Sequence, residues 1–138
     1  MTEDINQGWI WIRDSSISGR RLVRIDNPHC DKTVFCEAIS FKDDPNFLRL
    51  YNDEYRFQIP DDDSPTIVMS AWYRTRLGDI KPDKTESTEL DIVLTGDLPC
   101  AQIKAALSHP QMIVKTATVL AILSILISIV GTVIGVIF

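Results

Sequence analysis

The sequence predicts a small β-rich (α+β) soluble domain joined to one C-terminal transmembrane α-helix. Three observations lead there. All 33 charged side chains (14 Lys+Arg, 19 Asp+Glu) lie between Glu3 and Lys115, and the last 23 residues carry none. Upstream, short alternating or apolar runs recur between turn signals, which is the rhythm of strands. Downstream, residues 117–138 form 22 positions without a charge, Pro, Asn or Gln. The 138 residues suffice for one domain. The net charge of −5 repels phosphate backbones and excludes a basic nucleic-acid binder.

Residues 8–12 (GWIWI) alternate, so they read as a strand with Trp9 and Trp11 on one face. Residues 15–19 are a turn. Residues 21–25 (RLVRI) are a second strand ended by Asp26-Asn27-Pro28, and residues 33–39 (TVFCEAI) a third. Residues 46–55 fit a short helix, with Phe47, Leu50 and Tyr51 at 3–4 spacing. A brief extended piece (56–60) and an acidic turn (61–65) follow. Residues 66–77 start as strand and continue as helix, with Val68, Met69 and Trp72 inward, Arg74 and Arg76 outward, and Gly78 at the C-terminal cap. Residues 83–89 are a polar loop, 90–95 a final strand and 100–107 a short helix. Pro110 is expected in the first turn of the long helix, with Ser108 or His109 near its cap. The expected organisation is a cytoplasmic β-barrel-like domain (1–99), a juxtamembrane helix and linker (100–115) and a transmembrane helix (116–138).

Fourteen of residues 117–138 are Val, Leu, Ile or Phe. At about −0.3 to −0.6 kcal/mol each near the bilayer centre, they favour insertion by roughly 4–8 kcal/mol. A helix of this length spans roughly 33 Å, close to the hydrocarbon thickness. The opening residues 1–8 (MTEDINQG) have neither a basic nor an apolar signal region. The expected layout is therefore tail-anchored and single-pass, with the domain in the cytoplasm and the C-terminus on the far side. Three cysteines (Cys30, Cys36, Cys100) suit a reducing compartment, where they stay thiols. The Cys30-x5-Cys36 spacing is not that of a zinc knuckle. Within the span, Ala117, Ala121, Ser124, Ser128, Gly131 and Gly135 recur at 4, 3, 4, 3 and 4 residues and fall within an arc of about 80°. Gly131 and Gly135 make a GxxxG pair. Such a stripe lets helices approach closely and lets the Ser124 and Ser128 hydroxyls bond across, so self-association or docking on another span is expected.

The segments RLVRIDNPHCDKTVFCEA (21–38), IVMSAWYRTRLGDI (67–80) and ELDIVLT (89–95) follow one another in an order that resembles a double-psi β-barrel, the fold of the expansin and rare lipoprotein A group. The resemblance covers about 75 residues and implies a closed barrel. Enzymatic members of that group carry an Asp before the Ser that opens the helix, and an acid after the second strand. Here Met69 precedes Ser70, and the strand continues as Cys36-Glu37-Ala38. The resemblance thus implies the fold without the glycan-cleaving chemistry.

No phosphate loop, Ser-His-Asp signature, metal set or cofactor motif is present. Glu37 with Asp26 or Asp31 is a candidate carboxylate pair. Arg20, Arg21 and Arg24 are the one basic cluster, with Arg20 and Arg24 on one strand face; they are candidates for contact with an acidic partner or lipid headgroups. The leading expectation is a non-enzymatic membrane protein. Its domain binds a cytoplasmic protein or ligand, and its helix partners the bilayer and either a second copy or another membrane protein. Two alternatives remain: a membrane-permeabilising or pore-forming effector triggered by clustering, and an anchored enzyme using Glu37, Cys36 or His29.

Overall fold

The computed structural model describes residues 8–14, 16–43, 47–54, 59, 64–81, 88–96 and 99–137. The expected 56–60 piece, the acidic turn and the polar loop lie largely outside the described residues. Five strands form one sheet: β1 (Trp9–Arg13), β2 (Arg20–Asn27), β3 (Lys32–Ser40), β4 (Thr66–Val68) and β5 (Asp91–Leu94). Their order is β4-β1-β3-β2-β5. β1 and β3 run parallel, and the other neighbouring pairs are antiparallel. The order begins at β4 and ends at β5, so the described strands make an open sheet rather than the closed barrel that the resemblance implies.

Alternation dictates the two faces. The pairings Val23↔Cys36, Ile25↔Val34 and Ile10↔Ala38 stack these side chains on one face, where all are buried. Each fully buried Ile or Val there contributes roughly 1.5–3 kcal/mol. α2 (Ala71–Arg76) closes this core with Tyr73 and Leu77, both 0% exposed. The expected inner face of this segment is met in part: Met69 and Trp72 pack half-buried against the core, and Tyr73 and Leu77 are its fully buried residues. Val68 and Met69 precede the helix, which starts afresh after Ser70, so its phase turns Tyr73 inward and leaves Trp72 half-buried.

The opposite face carries Trp9, Trp11, Phe35 and Glu37. A 3-10 turn (Phe41–Asp43) and α1 (Phe47–Glu54) follow β3; Phe47 stacks on Trp11 at 4.0 Å and meets Phe41 at 5.1 Å. α3 (Pro99–Ser108) packs along β3 and sets Lys104 over the Phe35 ring.

The β2–β3 hairpin is tied to α2 by one buried side chain. Asn27 donates from Nδ2 to the Leu77 carbonyl at 2.7 Å and accepts the His29 N–H at 3.1 Å. Gly78 closes α2 as expected. Its φ of +105° suits glycine, and a Cβ there would meet the Cys30 sulfur at 2.7 Å.

α4 (Met112–Ile137) is the long apolar helix. It begins two residues after Pro110, so the expectation of Pro110 in its first turn is also corrected. His109 lies beside the helix start as expected, its Nδ1 accepting the Gln111 N–H at 3.1 Å.

Candidate functional site at the base of the apolar helix

α4 has 26 residues, about 39 Å of helix. Within Met112–Val136 an 18-residue stretch reaches a mean hydropathy of 2.7, and none of that stretch is buried. This helix is long and apolar enough to cross a membrane. It does not fold back into the domain as a core helix, and Leu126, Ile127 and Val133 stand exposed along it.

The six stripe residues, Ala117, Ala121, Ser124, Ser128, Gly131 and Gly135, are all exposed. A Cβ added at Gly131 or Gly135 would meet nothing within 4 Å. The hydroxyls on this side are occupied within the helix. Ser124 donates to the Leu120 carbonyl at 2.9 Å, Ser128 to Ser124 at 2.8 Å and Thr132 to Ser128 at 2.8 Å. Each polar donor is thereby satisfied in an apolar medium, and its oxygen still has accepting capacity.

Where α4 meets the domain, several elements converge. The Trp72 indole N–H donates to the Ser108 carbonyl, the last residue of α3, at 3.1 Å. Lys115 Nζ lies 4.1 Å from the Trp72 ring centroid, and the Arg76 guanidinium carbon 5.0 Å from it. The 72/76 spacing puts Trp72 and Arg76 on one side of α2. Lys115 is the last charged residue in the sequence. Beside this cluster, the Tyr73 hydroxyl donates to the Gly8 carbonyl at 3.0 Å, and burial pushes its phenol far above the usual range. The His109 ring lies against Gly8 so closely that a Cβ there would overlap it. Burial lowers the His109 pKa, Glu37 opposes this and Lys115 reinforces it, so the imidazole is held neutral.

The other candidate residues do not converge. Arg20 lies over Trp9 at 5.1 Å and faces Glu37 at 3.6 Å; Arg24 pairs with Asp26 at 2.7 Å. Arg21, on the opposite face, donates to the Ser18 carbonyl at 3.3 Å. Cys36 and Glu37 point to opposite faces, and His29 sits in the β2–β3 turn. Burial pushes the Cys36 thiol up to about 12, which keeps it protonated and unreactive at neutral pH. Asp26 is opposite Thr33, four residues along β3 from Glu37, a separation of roughly 13 Å that exceeds that of glycosidase carboxyl pairs. Its carboxyl is held below the usual range by the Thr33 hydroxyl, then by Arg24. Asp31 lies farther still, in the turn. Among the described residues no group of His, Cys, Asp and Glu is placed to hold a metal.

Comparison of the chain with protein families, curated proteins and solved structures gives no match. The site therefore rests on its geometry. Sequence reasoning named the stripe and the arginine cluster but missed the Trp72–Arg76–Lys115 group. Its signal was present in part: a Trp with an Arg one helical turn on, and a Lys that ends the charged region.

Proposed function

We propose that the protein is a non-enzymatic, single-pass membrane protein. Its domain lies in the cytoplasm and recognises a protein or ligand, and α4 crosses the bilayer and associates with a second copy or another span. The observation that carries this is the unburied apolar helix. A dozen Ile, Leu and Val side chains along it stand at least 45% exposed, a surface that water disfavours and lipid accepts. Arg76, Lys104 and Lys115 all precede the uncharged stretch 116–138, which supports a cytoplasmic domain.

The two glycines support association. Glycine within a helix costs about 1 kcal/mol relative to Ala in water, and among the described residues no contact requires it at Gly131 or Gly135. Close approach of another helix supplies the reason. With the stripe hydroxyls donating inside their own helix, the contact rests on packing and not on a polar ladder. The scattered positions of Glu37, Cys36 and His29 support the non-enzymatic reading.

Two measurements on the full-length chain in phosphatidylcholine vesicles test this. Flotation after alkaline carbonate washing reports insertion, and loss of the chain to the wash refutes it. Crosslinking in the same vesicles reports assembly. Gly131→Ile combined with Gly135→Ile is expected to leave only monomer, and unchanged oligomers would sink the packing claim.

A further inference from the structure

We infer that Arg76, Lys115 and Trp72 form a binding site for a phosphate group at the lipid–water boundary, most simply that of an anionic lipid headgroup. The inference rests on the reading that α4 crosses the bilayer. Both cations lie on one indole ring, at 5.0 and 4.1 Å from its centroid, so their charged centres are no more than about 9 Å apart. Neither has an ion-pair partner among the described residues, although Arg20 and Arg24 in the same domain both do. Stacking over a ring uses the charge of a cation and leaves its N–H donors free. A phosphate accepting a charge-assisted bond of about 2.8 Å from each cation bridges a gap of this size. It also neutralises two like charges that otherwise repel each other.

The site is held in place before any ligand arrives. Trp72 is pinned through its N–H to Ser108, so the ring that carries both cations does not turn freely. Its depth is set by the neighbouring residues. Lys115 is followed only by uncharged residues. Met112 and Ile113, one turn before it, are 79% and 82% exposed, and Ile103 and Leu107 on α3 are also exposed. Burying these apolar side chains in the headgroup boundary brings Arg76 and Lys115 level with lipid phosphates, where a Trp is also favoured.

The test follows the Trp72 indole N–H signal by NMR in the full-length chain held in nanodiscs, with Trp72→Phe assigning the signal. Phosphatidylcholine discs are compared with discs containing about one quarter phosphatidylglycerol, and inorganic phosphate is titrated separately. A shift with phosphatidylglycerol alone assigns the site to a headgroup. A shift with inorganic phosphate in phosphatidylcholine discs supports the same chemistry with a soluble source. R76Q is expected to weaken the response about five-fold, equivalent to ~1 kcal/mol. R76Q/K115Q should abolish it, and K104Q should leave it unchanged. If neither anion moves the signal in a chain that floats with vesicles, the site is overturned and the anchor stands. A shift that persists in R76Q/K115Q also overturns it. If the chain does not float, the anchor fails and the headgroup assignment falls with it.

Discussion

Replacing Trp72 with Phe separates the coupling between domain and span from the packing of either one. The phenyl ring keeps an aromatic face for Lys115 and Arg76, at a cation–π cost of about 0.5 kcal/mol. The indole N–H is lost, and with it the 3.1 Å bond to the Ser108 carbonyl. A half-buried carbonyl left without its donor costs about 1–2 kcal/mol. Together these amount to roughly 2 kcal/mol, a thirty-fold change at 1.4 kcal/mol per decade. The loss falls on the 109–111 linker and the first turn of α4, which follow Ser108 directly; the phenyl ring keeps the apolar packing of position 72 against the core. Hydrogen exchange of the full-length chain in micelles measures it. The amides of Gln111 and Lys115, which donate to His109 and to the Gln111 carbonyl, should exchange roughly thirty-fold faster. The amides of the β2–β3 ladder should hold their rates. Acceleration below about three-fold, under ~0.7 kcal/mol, refutes the claim that Trp72 fastens the span to the domain.

Two other substitutions probe the same frame. Asn27→Ala removes the bond to the Leu77 carbonyl and the acceptor of the His29 N–H; it should lower stability by about 2–3 kcal/mol in urea unfolding followed by tryptophan fluorescence, and a loss under ~1 kcal/mol argues against this tie. His109 is neutral in the folded state with its pKa below the ordinary 6.5, burial being the main cause. A depressed folded value for a base means the stabilisation is present above pH 6.5 and is lost as the pH falls below it. Linker amides should therefore exchange faster at acid pH, after correction for intrinsic rates, and His109→Gln should flatten the dependence; equal slopes in both proteins would count against it.

Much of the fold was legible because alternation reports burial directly. Ile10, Ile12, Val23, Ile25, Val34 and Cys36 are spaced by two within their strands, and the structure buries all six. Alternation does not report which strands are neighbours. The parallel pairing of β1 with β3 and the placing of β4 and β5 at opposite edges depend on long-range packing, so an order of elements that resembles a closed barrel is equally compatible with an open sheet. The burial of Tyr73 is not legible from one continuous helical phase over 66–77, because the chain breaks phase at Ser70. The Trp72–Lys115 contact joins residues 43 positions apart, and no local period encodes it. The Ser124 and Ser128 hydroxyls, expected to bond across to another helix, donate instead to carbonyls of their own, because a short hydroxyl reaches the i−4 carbonyl without any partner.

The fastening of α4 to the domain has a consequence for assembly. Trp72 holds Ser108, and His109 lies on Gly8, so the helix leaves the domain at a fixed rotation. The stripe from Ala117 to Gly135 therefore points in one direction relative to the sheet. Under the proposed pairing of two copies along the stripe, their domains would come together on the same side of each sheet. A single Ala inserted after Gln111 rotates the stripe by about 100° and lifts it by about 1.5 Å, while changing no residue of either surface. Helix crosslinks through the span should persist, since the stripe is intact, but crosslinks between the domains should move to different residues or vanish. If the domain crosslinks are unchanged by the insertion, the linker turns freely, and the span and the domain assemble as independent parts.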